Sequence, residues 1–427
     1  MNTPLRKLAV LAVASTLVLA GCGRDSGGDG DAASAPGVTD DPCPQAVNED
    51  NGCIYLGAIT DLTGTFAGIG VPLQDGAEAF WQRVNEEGGI GGYDIDVTTH
   101  LKDNEYNPDR HAQAWNEISG EVLALSGSLG TAATEAMLRD SNAEELVVIP
   151  ATLGSNWYFE DRVLELGASY CAEGMNAVDY AVDELGADSV AAVHFPGDYG
   201  DDAMVGARIA AEERGVEFTD IETAPGADQQ AAAVAGILRS GADMVLIATG
   251  PLETAAVVGG ALQQGFEGQF IGAIPTWNAA LLQSPAGPAL QASYLWSNSF
   301  PAYDADTPGR EAMREAAGDG TPNDYFALGW SGQYVMKAAL EAAIDNDDLT
   351  RAGLLEAATS LSEIDSEGSL PEGSANYAGD ANDAAIRATA FFAPDESAST
   401  GASIQVDSFT GPTAEGYDFQ EACYLQK

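Results

Sequence analysis

Short apolar runs alternate with segments of helical period over much of this chain, and this alternation restricts the fold more than any other feature. The first unit begins with an apolar run, Ile54–Thr60, which is followed by a polar, Gly-rich turn and an amphipathic segment over residues 73–87. A second apolar run begins at Tyr93. Each run is short, lacks polar alternation and is separated from the next by a helix, which is typical of a parallel sheet covered on both faces. The sequence therefore predicts an α/β protein.

The strand–helix pattern occurs twice. One set of units spans residues 54–150 and a second spans residues 176–274, which indicates two similar α/β lobes. Residues 151–171 lack this periodicity, apart from a short strand predicted at 163–167, and we expect them to cross between the lobes. Further helices are predicted at 307–317, 325–343 and 350–360, followed by strand-like runs at 388–392 and 404–406.

The amino terminus has the features of an export signal. Arg6 and Lys7 precede the apolar stretch Leu8–Leu19, which is too short to span a bilayer comfortably. The motif Leu19-Ala20-Gly21-Cys22 resembles a bacterial lipobox, although an ordinary signal peptide with an incidental cysteine is the alternative. We predict a signal peptide over residues 1–21, lipidation of Cys22, a flexible acidic tether over residues 22–52, and an extracytoplasmic, membrane-anchored protein.

The charge balance is strongly acidic. The chain has 66 acidic and 17 basic residues, which gives a formal net charge of −49. A surface of this sign repels nucleic acid and anionic membranes, so we expect no nucleic-acid partner. Adaptation to high salt and a lineage-wide acidic bias both account for this composition, and the sequence does not separate them.

Four cysteines remain besides Cys22: Cys43, Cys53, Cys171 and Cys423. An extracytoplasmic location favours disulfides, and four cysteines allow three pairings. Cys43 and Cys53 are close enough in sequence to fasten the end of the tether to the first strand. The spacings do not fit a zinc site, so we expect no bound metal.

The chain has little sign of catalytic chemistry. It contains no Gly-x-Ser-x-Gly elbow, no His-Glu-x-x-His motif and no P-loop. Of its three histidines, His100 and His111 are predicted at the surface, and His194 at a strand end with a structural role. We therefore expect neither an enzyme nor a cofactor.

Loops at the ends of predicted strands are the remaining candidate sites. Gly130 and Thr131 begin a helix, where free N–H groups and a hydroxyl can hold a carboxylate or simply cap the helix. Ala151 and Thr152 follow the next strand, and Tyr199 lies at a strand end of the second lobe. Glu253 suits the start of a helix better than contact with a ligand, whereas Trp157 and Trp277 are loop aromatics near the same edges.

Taken together, these motifs resemble the extracellular solute-binding proteins of the leucine/isoleucine/valine-binding group, which serve ABC importers. The resemblance extends over about residues 54–343 and rests on Leu56–Gly64, Asn85–Gly92, Asp103, Val148–Thr152, Val193-His194, Tyr199-Gly200 and Gln269–Gly272. It implies the type I periplasmic-binding-protein fold, with two Rossmann-like lobes joined by three crossing strands. The first lobe would comprise residues 54–168 and 303–392, and the second residues 169–300 and 393–427. This topology implies a Cys171–Cys423 disulfide.

The resemblance also implies a function. The protein would be a monomer that captures a small polar solute between its lobes and delivers it to an ABC permease; a sensing module that signals to a membrane receptor is the alternative. The positions that match the family's ligand contacts are Thr63, Phe66, Gly130, Thr131, Ala151, Thr152 and Tyr199.

Two positions depart from the family pattern. The acid that pairs with the ligand's ammonium corresponds to Ile274, and a second aromatic corresponds to Gly250. An unpaired buried charge costs several kcal/mol. Either Glu253 or another acid therefore replaces the missing one, or the ligand carries no α-ammonium and is a carboxylate, an amide or a flat aromatic acid held by Trp157 and Trp277.

Overall fold

The computed structural model describes residues 35–378 and 381–427. Its first sheet has a central strand, β2, which pairs in parallel with β3, β4 and β5 and antiparallel with β1; β5 continues the sheet to β6. The strands are β1 (Val38–Thr39), β2 (Gly52–Thr60), β3 (Tyr93–Asp96), β4 (Leu101–Asp103), β5 (Ala124–Ser128) and β6 (Val148–Pro150), and the first helices are α1 (Ala67–Glu86), α2 (Pro108–Ile118) and α3 (Thr131–Leu138).

The second sheet contains seven strands in the order β13-β12-β11-β10-β9-β7-β8. The five strands from β11 to β8 are parallel, and all five residues of β9 are buried because helices cover the sheet. The elements are α4 (Tyr170–Leu185), β7 (Ser189–His194), α5 (Asp198–Arg214), β8 (Glu217–Glu222), α6 (Ala231–Ser240), β9 (Met244–Ala248), α7 (Pro251–Gln263), β10 (Gln269–Gly272), α8 (Gly287–Ser293) and β11 (Tyr294–Asn298).

Three helices then return to the first sheet, and the chain ends on the second. Helix α10 packs along α1 at a crossing that requires glycine: a Cβ on Gly76 would lie 2.1 Å from the Phe326 carbonyl oxygen, and one on Gly329 would lie 1.9 Å from that of Leu73. The remaining elements are α9 (Pro308–Ala317), α10 (Asp324–Asp345), α11 (Arg351–Thr359), α12 (Ala381–Ala384), β12 (Thr389–Pro394), β13 (Ala402–Phe409) and α13 (Pro412–Gly416).

Two disulfides fasten the ends of the described chain. Cys43–Cys53 attaches the segment before β2 to that strand, and Cys171–Cys423 attaches the carboxyl terminus to α4. The structure thus contains the bridge that the family topology implied. Among the described residues, a grouping of potential metal ligands occurs only at Cys43, Cys53 and Asp96, and the bond between its two cysteines removes their thiolates.

Several sequence predictions need correction. The expected strand at residues 163–167 is wrong, since Val163 makes only an isolated bridge to Val148. His111 was expected at the surface but is fully buried. Helix α4 begins at Tyr170, where Ser169 caps it, six residues before the predicted start.

The connections between the sheets also differ from expectation. The resemblance implies strands that cross between the lobes, whereas residues 151–169 and 299–307 contain no strand; residues 155–159 form a 3₁₀ helix instead. The sequence placed residues 389–392 in the first lobe, whereas β12 pairs with β11 and so belongs to the second sheet. None of the described helices is long and apolar enough to cross a membrane. Residues 1–34, with the signal peptide and Cys22, lie outside the described residues.

Candidate functional site

A cleft lies where strands of both sheets end. Phe66, Leu129 and Ala151 come from loops after first-sheet strands, whereas Ile274 follows β10 in the second sheet. Among the described residues that line the cleft, none carries a charged side chain. The lining consists of Phe66, Ile69, Leu73, Tyr106, Leu129, Ala151, Thr152, Leu153, Tyr170, Tyr199, Ile274, Pro275, Tyr325 and Leu328.

A buried carboxylate shapes the turn that presents Phe66. Asp61 is fully buried after β2, and its Oδ2 accepts a hydrogen bond of 2.7 Å from the Phe66 backbone N–H. The Phe66 ring packs edge-on against Tyr106, with ring centroids 4.5 Å apart. Asp61 therefore fixes the first wall of the cleft without touching its interior.

A buried polar network holds the next loop, at Leu129. Asn104 Nδ2 donates to the Leu129 carbonyl at 2.8 Å and approaches His111 Nδ1 at 3.1 Å. His111 Nε2 lies 3.3 Å from the Ser128 hydroxyl. Burial lowers the pKa of His111 to about 4, so the imidazole is neutral at physiological pH. His111 supports the loop and does not reach the cleft.

The start of α3 opens onto a second cavity, which we call the mouth. Gly130, with φ +110°, and Thr131 line the mouth, and Tyr106, Leu129 and Tyr199 line both the mouth and the cleft. Thr131 is 2% exposed, and its hydroxyl has no hydrogen-bond partner among the described residues. A free hydroxyl beside the N-terminus of an eight-residue helix can hold a carboxylate.

Two tyrosines form the wall on the side of the second sheet. The rings of Tyr170 and Tyr199 pack edge-on at 4.7 Å, and Tyr199 donates its hydroxyl proton to the Thr249 carbonyl at 3.2 Å. Burial raises the pKa of Tyr199 well above its usual value. Tyr199 thus offers a ligand the face of a neutral ring.

Tyr325 joins the two sides of the cleft. It lies on α10, which packs against the first sheet, and its hydroxyl bonds to the carbonyl oxygens of Ile274 at 2.9 Å and Trp277 at 2.8 Å, beyond β10 of the second sheet. The sides of the cleft are therefore in direct contact in this conformation.

Ile274 occupies the position where the family pattern expects an acid. A buried acid lies behind it: Glu173 on α4, whose Oε1 accepts a 2.8 Å bond from Ser297 and whose Oε2 lies 3.5 Å from the Ile274 N–H. Glu173 is fully buried, does not line the cleft, and has its pKa raised to about 8 by burial. At neutral pH the neutral acid dominates, so the cleft lacks a carboxylate for an ammonium group.

Three other expected contacts lie apart from the cleft. Thr63 is exposed, and its hydroxyl donates to Asp103 at 2.6 Å. Gly250 caps α7 and does not line either cavity. Glu253 accepts a 2.7 Å bond from the Gly226 N–H, so it fastens a neighbouring loop rather than replacing the missing acid.

The two loop tryptophans are core residues. Trp157 is 3% exposed, and its ring N–H donates a 3.3 Å hydrogen bond to the hydroxyl oxygen of Thr152, a residue that lines the cleft. Trp277 is 1% exposed and stacks on Tyr294 with centroids 5.9 Å apart. Neither ring lines the cleft, so the expectation of a flat ligand between them has no support.

Of the sequence candidates, Phe66, Ala151, Thr152, Tyr199 and Ile274 meet in the cleft, and Gly130 and Thr131 meet at its mouth. The apolar residues of α1 and α10 were missed. Ile69 and Leu73 are spaced by one helical turn on α1, so extending its apolar stripe toward the N-terminus would have found them. No sequence pattern near the cleft loops indicates Tyr325 and Leu328, because they lie on α10, far from those loops in the sequence.

The chain matches the periplasmic binding protein family over residues 54–399. A curated relative, the Leu/Ile/Val-binding protein homolog 3 of Brucella melitensis biotype 1, is 27% identical over 199 residues, which cover 45% of this chain and 53% of the relative. The match thus spans about half the length of that relative.

Two solved structures share the fold. A fatty acid ABC transporter substrate-binding protein from Thermomonospora curvata is 27% identical, with a TM-score of 0.80 over 90% of this chain and 96% of its own. A branched chain amino acid ABC transporter from Thermus thermophilus with bound valine is 18% identical, with a TM-score of 0.73 over 85% and 98%. The proteins of this family bind substrates and are not enzymes, in agreement with the sequence prediction. The match over most of the chain shows that this protein belongs to the periplasmic binding protein family.

Proposed function

We propose that this chain is the substrate-binding protein of an ABC importer and that it captures an apolar carboxylate, such as a fatty acid. The observation that carries the proposal is the chemistry of the cleft, whose walls are apolar and lack a charged side chain among the described lining residues. The neighbour of known structure that carries a fatty-acid title supports this class of ligand.

The proposed ligand has a polar end at the start of α3 and an apolar end in the cleft. Its carboxylate bonds to Thr131 and the free N–H groups that begin α3, and its alkyl part contacts Phe66, Tyr199 and Ile274. Because these groups come from both sides of the cleft, ligand binding favours the closed conformation. The closed protein, a monomer held at the membrane by a lipid on Cys22, then docks on the permease.

The test compares decanoate, decanol and leucine by isothermal titration calorimetry. We expect decanoate to bind and leucine not to bind. Thr131→Val should weaken decanoate about tenfold, the order expected for one hydrogen bond to a charged group, and leave decanol unchanged. Equal losses for both ligands would place the carboxylate elsewhere.

A branched-chain amino acid is the second candidate, because Glu173 lies directly behind Ile274 and could ionise beside an ammonium group. Leucine binding that is lost in Glu173→Gln would establish this candidate and exclude the fatty acid. The anchor is tested separately: Cys22→Ser should move the protein from the membrane to the soluble fraction.

A further inference from the structure

The side chain of Tyr106 lies between the two ends of the proposed ligand. Its ring packs edge-on against Phe66, with centroids 4.5 Å apart, and its Cε2 lies 3.7 Å from the position that a Cβ on Gly130 would occupy. Phe66 belongs to the apolar wall of the cleft, and Gly130 caps the helix whose N-terminus receives the carboxylate. The Tyr106 ring therefore connects the apolar contact of the ligand with its polar contact.

Tyr199 lies near Tyr106 on the side of the second sheet. These two tyrosines and Leu129 line both the cleft and the mouth. Burial raises the pKa of Tyr199 most, and the phenol of Tyr106 is among the neighbouring groups that add to the rise, so the two phenols lie within electrostatic reach of each other. A ligand that extends from Thr131 into the cleft thus passes between side chains from the two sides of the cleft.

The backbone of the turn between β4 and α2 is strained at Tyr106. Glu105 and Tyr106 have φ of +48° and +51°, and within the described part of the chain they are the one pair of consecutive non-glycine residues with positive φ. A Cβ is crowded by the backbone in this region of φ. Such strain persists only where the surrounding structure over-determines the conformation, and it is frequent at ligand contacts.

Buried hydrogen bonds over-determine this turn. Asn104 is fully buried, and its Oδ1 accepts a 2.8 Å bond from the Tyr106 backbone N–H while its Nδ2 donates to the Leu129 carbonyl. The preceding residue, Asp103, accepts a 2.9 Å bond from the Glu105 N–H through its Oδ1. The backbone at Tyr106 cannot shift without breaking these bonds, so the ring is a fixed part of the ligand's path.

We propose that Tyr106 is a specificity-determining residue, which selects acids whose carbon next to the carboxylate is unbranched. This inference rests on the proposed function. With the carboxylate at Thr131, the first carbons of the ligand lie along the Tyr106 ring, on the side of the path opposite Tyr199. Methyl groups added to these carbons meet a ring that the strained turn holds in place. Acids branched at this carbon are therefore disfavoured.

The experiment compares decanoate with 2,2-dimethyldecanoate, an achiral acid that differs from it only at this carbon, by isothermal titration calorimetry on the full chain. The wild type should prefer decanoate at least about tenfold, the order of the penalty for forcing extra methyl groups into a packed site. In Tyr106→Ala the preference should fall to about threefold or less, because the ring that meets the methyl groups is absent. Tyr106→Phe keeps the ring and should keep the preference.

Tyr93→Ala is the matched control for Tyr106→Ala. Tyr93 lies at the start of β3, is also partly exposed, and lines neither the cleft nor the mouth. This variant also loses a tyrosine ring from the first lobe, and it should prefer decanoate to the same degree as the wild type.

A crystal structure with decanoate adds a measurement that needs no variant: the Tyr106 ring should lie within about 4.5 Å of the carbon next to the carboxylate. The inference is overturned if that contact is absent, if the wild type does not prefer decanoate, or if Tyr106→Phe loses the preference. It is also overturned if Tyr106→Ala keeps the preference or binds neither acid, since the ring would then support the site without selecting the ligand. If the wild type binds neither acid, the proposed function itself fails.

Discussion

At the scale of single residues, Glu173, which lies behind the cleft, makes the stability of the protein depend on pH. Its carboxyl group is fully buried, and burial raises its pKa from 4.5 to about 8. Between these two values the folded protein keeps a proton that the unfolded chain releases. Stability contributed by this group is thus complete below about pH 4.5 and is lost as the pH rises through about 8.

Glu173→Gln keeps a neutral side chain at every pH and should remove this loss. We expect the free energy of unfolding to match the wild type near pH 5 and to exceed it by on the order of 3 kcal/mol near pH 8. Urea unfolding at both pH values measures the difference. Glu184→Gln, an exposed position on the same helix, is the control and should follow the wild type. Parallel pH profiles for Glu173→Gln and wild type would show that Glu173 titrates normally.

At the scale of secondary-structure elements, one hydroxyl links α10 to the turn after β10. Tyr325→Phe removes the hydrogen bonds to the Ile274 and Trp277 carbonyls and should favour the open form by about 1 kcal/mol. Because the ligand binds the closed form, this change should weaken ligand affinity about fivefold. Small-angle scattering of the free protein should show a larger radius of gyration.

Tyr377→Phe is the matched control for Tyr325→Phe. The Tyr377 hydroxyl also donates to a carbonyl, that of Glu165 at 2.8 Å, but it lies outside the cleft. This variant should lose some thermal stability while keeping its radius of gyration and affinity. An unchanged radius of gyration and an unchanged affinity in Tyr325→Phe would show that this contact does not hold the cleft closed.

The two disulfides should differ in their effect on stability. Cys171 and Cys423 are separated by 252 residues and Cys43 and Cys53 by 10. In the chain-entropy model a disulfide that closes a longer loop restricts the unfolded chain more. Replacing Cys171 and Cys423 by serine should therefore lower the free energy of unfolding by about 5 kcal/mol, and replacing Cys43 and Cys53 should lower it by about 3 kcal/mol. Chemical unfolding of the two double-serine variants measures the difference. Equal losses would mean that chain entropy does not dominate.

The helices and strands were predictable where a local period exists. The apolar runs of the parallel sheets and the long helix α10 stand close to their predicted bounds. Within the connection at residues 151–169, only the strand predicted at 163–167 was wrong, because its apolar residues are buried in the core without forming a strand. The burial of His111 was missed for a related reason: its partners, Asn104 and Ser128, come from other elements.

The candidate site was predictable only in part. Loops after parallel strands reliably indicate where a ligand lies, and this rule found Thr131, Ala151 and Tyr199, whereas Phe66 came from the resemblance to the family. It could not find Tyr325 or Leu328, which reach the cleft from a helix that returns late in the chain. The apolar character of the cleft emerges only when these residues meet.

At the scale of the whole molecule, the net charge of −49 makes the stability of the fold depend on salt. Like charges repel more in the compact state than in the expanded chain, so the charge lowers the stability of the fold. Salt shortens the range of this repulsion: the Debye length is about 10 Å at 0.1 M and about 3 Å at 1 M. The fold should therefore gain stability as salt is added.

We expect the melting temperature at pH 7.5 to rise by on the order of 5 °C between about 0.05 M and about 2 M sodium chloride. Chloride is chosen because sulfate would strengthen apolar burial as well. The control is the same pair of measurements near pH 4, where many carboxylates are protonated and the gain should shrink. An equal gain at both pH values would assign the effect to general salt action. Equal melting temperatures at low and high salt would show that the acidic surface does not limit stability, and adaptation to saline conditions would then lose its physical basis.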